Sequence, residues 1–187
     1  MNWMARRQRG IRQRRARRAI LAMGALTATA TLAGLVLPAD HLARKALLLT
    51  RPPEAVWQVL IDLDGMPRWR TDLRALERLP DRGGRPAWRE VSSGGERLLE
   101  LAEAEPPSRL VIQNAGDGGS VILIREFDLR AVERGTLLTV TERRRFGSPL
   151  RRILARLPLE PSGPALLLRD LDARLRMTGQ LTANPAD

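Results

Sequence analysis

Apolar residues follow three different patterns along this chain, an uninterrupted run, a strand alternation and a helical spacing, and each predicts a different element. Residues 19–37 (AILAMGALTATATLAGLVL) run for nineteen positions without a charge and end at Pro38 and Asp40. A helix of that length spans roughly 28 Å at about 1.5 Å per residue, close to the hydrocarbon thickness of a bilayer. Thr27, Thr29 and Thr31 do not oppose this, because their hydroxyls can bond back to helix carbonyls. The pattern predicts one transmembrane helix over 19–38. Two other readings stay open: the apolar region of a cleaved export signal, which Arg14–Arg15 and Arg17–Arg18 would suit as a loose twin-arginine match, and a buried helix of a soluble domain.

Beyond Asp40 the period shortens. Residues 42–50 read as extended and stop at Arg51-Pro52-Pro53, where proline favours a first helical turn and restricts the residue before it. Val56, Val59, Leu60 and Leu63 then recur at i, i+3, i+4 and i+7, a helix with one apolar face that Gly65 can end; a short turn carries Met66–Trp69. From 72 to 146 short alternating runs are separated by turn signals at Asp81–Gly84, Gly94–Gly95, Pro106–Pro107, Gly116–Gly119 and Glu133–Gly135. Strands so spaced, with no helix between them, predict an antiparallel sheet. Helical spacing returns at Leu150, Ile153, Leu154 and Leu157 after a Ser148-Pro149 start, and again over about 165–178 with Leu168, Leu171 and Leu175 inward. Pro158, Pro161 and Pro164 should break or hinge this final helix. On its outer face Asp170–Arg174 and Asp172–Arg176 are spaced for i, i+4 pairs. The fold class is therefore α+β: a curved antiparallel sheet of about seven strands around a long C-terminal helix, with a natural pocket between them.

Charge changes the picture less than its size suggests. The formal net charge is +11, but residues 1–18 alone hold eight arginines and no acid, which leaves +3 for the rest. The basicity belongs to a tail, and a block of like charge usually makes a solvated arm. No nucleic-acid partner is expected, because the body has two Phe, no Tyr and three of the four Trp, too few aromatics for a base-stacking face. The arginine excess predicts that the tail stays in the cytoplasm, with the rest of the chain outside the membrane. The chain has no cysteine and one histidine, His41, which follows the apolar segment at an interfacial or exposed place. Thiol chemistry, a zinc site and a Ser–His pair are thereby excluded within one chain, and no metal or cofactor is expected. The acidic pairs Asp62/Asp64 and Glu103/Glu105 sit at element ends, where solvated carboxylates are ordinary.

Pro52-Pro53-Glu54-Ala55-Val56-Trp57, then Asp62, then Pro67-Arg68-Trp69 resemble the opening of the SRPBCC superfamily (START-like, polyketide cyclase/dehydrase). Trp88-Arg89-Glu90, the run from Glu103 to Val111, and Gly135–Glu142 are similar to its later landmarks. The resemblance covers roughly residues 42–157, and the basic tail and membrane segment ahead of it are similar to a membrane-anchored bacterial branch. It implies a helix-grip fold with a cavity for lipids, polyketides or other apolar molecules, without implying one chemistry. Two features depart from the branch: the prolines in the last helix, and Val, Ile and Leu along 120–129 where a glycine–tryptophan pair is usual.

The hairpin around Glu133–Arg134 allows a sharper expectation. Opposed residues then pair Leu129 with Leu138, Phe127 with Val140, and Arg125 with Glu142, all on one face. Since the first two pairs are apolar, Arg125 and Glu142 would either face the pocket and orient a ligand's polar group, or lie solvated at the open edge of the sheet. Trp57 and Trp69 would line the pocket mouth or pack helix on sheet. Trp88 and Glu90 share a strand face, where Glu90 is a pocket acid or a solvent-facing carboxylate. No catalytic residue stands out.

These readings give a basic cytoplasmic tail over 1–18, a membrane segment over 19–38, one domain over 40–181 and a frayed end over 182–187. The expected function is membrane-tethered binding or transfer of a hydrophobic small molecule, with the bilayer contacted through 19–37. A protein-interaction module without ligand, or a cyclase- or dehydratase-like enzyme using pocket carboxylates, are the alternatives.

Overall fold

The computed structural model describes residues 21–183, apart from 22, 26, 28, 30, 94, 115–120 and 157–162. Two compact units are present. Among the described residues, one comprises 21–39 together with 146–156, and the other 40–145 with 163–183.

The larger unit is a seven-stranded sheet with helices. Its elements are β1 (Asp40–Leu49), α1 (Pro53–Ile61), a 3-10 turn (Met66–Arg68), β2 (Leu73–Arg82), β3 (Arg85–Ser92), β4 (Gly95–Glu105), β5 (Arg109–Asn114), β6 (Val121–Val132), β7 (Gly135–Phe146) and, after α2 of the other unit, α3 (Gly163–Ala183). The strand order is β1-β7-β6-β5-β4-β3-β2. Consecutive strands from β2 to β6 pair antiparallel, and β7 returns to pair with β1, from Asp40 opposite Arg145 to Leu49 opposite Thr136. Register shifts interrupt β2 near Leu73–Ala75 and β4 near Leu101–Glu103, the local irregularities that bend strands. Gly135, at a φ of +131°, starts β7 so close to the Leu49 carbonyl that any Cβ would strike it.

The expected elements are present, with corrections at their ends. The first helix stops at Ile61, short of Leu63 and Gly65, because the Asp62 carboxylate accepts the Gly65 amide at 3.0 Å and turns the chain. Ser148 stands at an N-cap position, but its side chain makes no capping bond. The final helical region is split into α2 (Pro149–Leu154) and α3. Of the three prolines expected to break it, Pro158 and Pro161 lie outside the described residues, and Pro164 is buried in the first turn of α3.

Alternation along the strands explains the core. Leu123, Phe127 and Leu129 of β6 and Leu138 and Val140 of β7 point to one face, where Val56, Trp57 and Leu60 of α1 join the same cluster. Leu167, Leu168, Leu171 and Leu175 of α3 complete it. The stripe expected at 168, 171 and 175 is thus the buried one, and Asp172 and Arg176 pair at 2.9 Å on the opposite side. Asp170 departs from the expected outer face and is buried.

In the smaller unit the described residues of 21–36 are helical. Thr27, Thr29 and Thr31 donate to the carbonyls of Met23, Ala25 and Thr27 at 2.8–2.9 Å, as expected. Pro149 sits against Gly34 so tightly that a Cβ there would overlap it. Arg152 donates to the carbonyls of Phe146 (3.1 Å), Leu37 (3.4 Å) and Gly34 (3.5 Å), and Arg156 to that of Pro38 (3.0 Å). Two arginines thus cover the carbonyl end of the helix, the end that favours cations. Among the described residues no helix is long and apolar enough to cross a membrane, and residues 19, 20, 22, 26, 28 and 30 of the expected span lie outside them.

Leu171 is fully buried between α3 and the sheet, so its truncation leaves a cavity. We expect Leu171→Ala to lower unfolding free energy by about 2–5 kcal/mol in denaturant titration, and Arg176→Ala on the exposed side of the helix by less than about 1 kcal/mol.

Candidate functional site

The concave face of the sheet carries charges as well as leucines. Glu142 is 1 % exposed and Arg125 is 5 % exposed. Arg125 donates through Nε to Glu142 Oε2 at 2.8 Å, and Nη2 approaches the same oxygen at 2.7 Å. Arg144 takes the other carboxylate oxygen. The hairpin therefore brings together the pair expected from its turn, and it does so inside the protein. The solvated-edge reading is overturned, because β1 and α3 flank the pair's end of the sheet: Ala43 lies opposite Glu142 and Gly163 abuts it. Burial pushes the Glu142 carboxyl up, but the guanidinium groups of Arg125 and Arg144 pull it down further, and it titrates below the ordinary glutamate range.

A second charged cluster lies near β3. Glu90 is 2 % exposed, so the solvent-facing reading fails for it too. Its oxygens accept from Arg70 Nη1 at 2.8 Å and Nη2 at 3.2 Å, while Arg70 also binds Asp72 at 2.8 Å. Burial lowers the affinity of Arg70 for its proton, but Glu90 and Asp72 raise it more, so the guanidinium stays charged. Asp170 joins this region from α3: Oδ2 accepts both the amide and the hydroxyl of Thr71, each at 2.7 Å. Burial raises the Asp170 pKa, the Thr71 hydrogen bonds and Arg169 lower it more, and the net shift is downward. Between the two clusters Arg97 is perturbed first by burial and then by Arg144, which lower its pKa. Arg70, Thr71, Asp72, Arg97 and Arg144 were not among the candidates from the sequence, and Asp170 was expected on the outer face of the last helix. Strand alternation offered a signal for Arg144, which stands two residues from Glu142 on β7 and so shares its face.

The apolar concavity lies elsewhere on the same face. A cavity of about 170 Å³ opens between α1 and strands β2–β5. Leu60, Ile61 and Leu63 form one wall, and Pro86, Trp88, Leu101, Leu110 and Ile112 the other. Among the described residues Arg78 is its only charged lining residue. Trp88, a candidate from the sequence, lines it. Glu90, Arg125, Phe127, Leu138, Val140 and Glu142 do not, since the strand segments bearing them are filled by their own packing and by α3. Trp57 and Trp69 are buried core residues that pack helix and turn on the sheet. The Trp69 Nε1–H has no hydrogen-bond partner among the described residues. A second concavity, about 280 Å³, lies on the outer face between Ile122, Ile124, Arg143 and Arg145, with Asp40 bound to Arg145 at 2.8 Å. His41 is half-buried in β1, and Asp62 serves the turn after α1.

The buried triad should be structural, and its sign with pH follows from the shift. The folded pKa of Glu142 is depressed, so its stabilisation is complete above the unfolded value of about 4.3 and is lost as pH falls below it. We expect Glu142→Gln to cost about 3–5 kcal/mol at pH 7 by stranding Arg125, and to flatten the stability decline below pH 5. The double change Arg125→Leu/Glu142→Leu should recover most of that loss in the same denaturant titrations. A single-mutant cost under about 1 kcal/mol would remove the triad from the core energetics.

No family model matches the sequence, and none of the curated proteins matches it either. Solved structures do. A START superfamily protein from Mycobacterium smegmatis is 17 % identical, with a TM-score of 0.59 over 74 % of this chain and 99 % of that one. The Zhui aromatase/cyclase from Streptomyces sp. R1128 is 13 % identical (TM-score 0.59, 73 % of this chain and 94 % of that one). A norcoclaurine synthase from Thalictrum flavum is 12 % identical (TM-score 0.59, 75 % and 96 %). At such identities the likeness speaks for the fold. This chain carries a helix-grip fold of the START type, a seven-stranded antiparallel sheet closed by a C-terminal helix.

Proposed function

We propose that the domain binds a small apolar molecule in the cavity between α1 and β2–β5, and that residues 19–37 hold the protein to a membrane with the tail cytoplasmic and the domain outside. The observation that carries the binding reading is the lining: eight apolar side chains and one arginine around about 170 Å³. That volume resembles cavities of roughly 150 Å³ that hold a benzene molecule, so the ligand's buried part is about six carbons. A whole lipid acyl chain or polyketide would have to extend past the mouth. Among the described residues the lining holds no carboxylate, hydroxyl or imidazole to take part in proton transfer at neutral pH, which favours binding over catalysis. The Glu90 and Glu142 carboxylates, which an enzymatic reading would use, are each held by arginine.

The membrane reading rests on the uncharged run and on exposure. Leu21, Met23, Leu32, Leu35 and Val36 are exposed on the helical stretch, an apolar surface that soluble chains cover. Eight arginines precede it and none of the acids does, which favours a cytoplasmic N-terminus.

Leu101 is partly exposed at the cavity wall, so a larger side chain there fills the space without repacking the core. We expect Leu101→Trp to weaken binding of toluene, measured by NMR titration, at least about tenfold while the melting temperature moves by only a few degrees. Wild-type protein that shows no saturable shift with toluene would refute the cavity as a binding site. For the tether, alkaline carbonate washing should leave the expressed chain in the membrane pellet, and its recovery in the supernatant would refute an integral anchor.

A further inference from the structure

Arg78 is the one charged residue lining the cavity among the described residues, and its position selects among apolar ligands. It lies on β2, an edge strand, directly opposite Trp88 of β3. Residues opposed across an antiparallel pair project to the same face, and Trp88 is buried on the concave side. The guanidinium is therefore carried on the inward face, at the solvent margin of an apolar wall. Its neighbours on the outer face are engaged differently: Glu77 pairs with Arg89 at 3.4 Å, and Arg89 with Glu96 at 3.2 Å. Arg78 itself makes no hydrogen bond or ion pair with the described residues, whereas Arg70, Arg125 and Arg144 on the same face all hold carboxylates.

We infer that the cavity takes an amphipathic monoanion, a carboxylic acid with an apolar body of about six carbons, whose carboxylate is held by Arg78 at the mouth. This rests on the binding reading above and adds the charge and size of the ligand. The body enters beside Trp88 and Leu101, and the head stays at the water boundary, where it need not be fully desolvated. A planar guanidinium matches a carboxylate with two parallel N–H donors, a geometry that a hydroxyl cannot reproduce. The competing structural reading makes Arg78 an inward charge that guards an edge strand against pairing with another chain. That reading predicts no ligand preference and a rise in self-association when the charge is removed.

The test uses the full chain in lipid nanodiscs, with empty nanodiscs as the blank, and calorimetric titration with phenylacetate and with 2-phenylethanol. These probes share a ring and differ in the head group. Phenylacetate should bind about three- to five-fold more tightly in low salt, the range for an exposed ion pair, and the advantage should shrink as salt rises. Arg78→Gln should bring the two affinities together, Arg78→Lys should keep part of the preference, and Arg89→Gln, outside the cavity, should change nothing. Equal affinities in the wild type, or a preference that survives Arg78→Gln, would overturn the inference while leaving the cavity intact, provided Leu101→Trp still weakens binding of both probes. If neither probe binds, or if Leu101→Trp has no effect, the binding reading itself fails, and the head-group inference with it.

Discussion

Glu142 carries a charge in a place almost without water, and much of the domain is arranged around keeping it there. A lone carboxylate at 1 % exposure would take up a proton or disrupt the fold. Arg125 from β6 and Arg144, two residues along β7, each take one side of it, so the hairpin supplies both countercharges. The arrangement works only if β6 and β7 keep their register, because a slip of one residue would turn Arg125 outward and leave the acid with Arg144 alone. The triad is thus a register lock as much as a source of energy. Replacing such a cluster with leucines is often close to neutral in stability, so its contribution lies in pairing specificity.

The same face holds a second lock at its other side. Arg70 ties the turn after α1 to Glu90 of β3, and Asp170 ties α3 to Thr71 in that same turn. Three elements far apart in sequence meet within three residues, Arg70 to Asp72. With these polar contacts fixing the helix against the sheet, the interior between α3, β6 and β7 is filled, and the open space is displaced toward α1 and β2–β5. The cavity is small because much of the concave face is spent on ion pairs and on Leu167–Leu175 packing.

The smaller unit solves a different problem. A helix that ends at Val36 leaves carbonyls without partners, and Arg152 and Arg156 of the α2 region supply donors to Gly34, Leu37 and Pro38. Gly34 lets Pro149 approach, so a residue that looks like a weak point in an apolar helix is the contact that admits α2.

The sequence alone determined the strand and helix order, because periods of 2 and 3.6 are local and Gly, Pro and Asp mark where each stops. It also determined that Arg125 faces Glu142, since a tight turn at Glu133–Arg134 sets every pair in its hairpin. It did not determine that this pair is buried, that Glu90 belongs to Arg70 twenty residues earlier, or that Asp170 turns inward to Thr71 ninety-nine residues before it. A charged side chain on an amphipathic element reads as solvated until its partner is known, and those partners come from distant segments that no local period connects. Only the tertiary structure decided where the hollow lies and how large it is, because free volume is what remains after every long-range contact has been made.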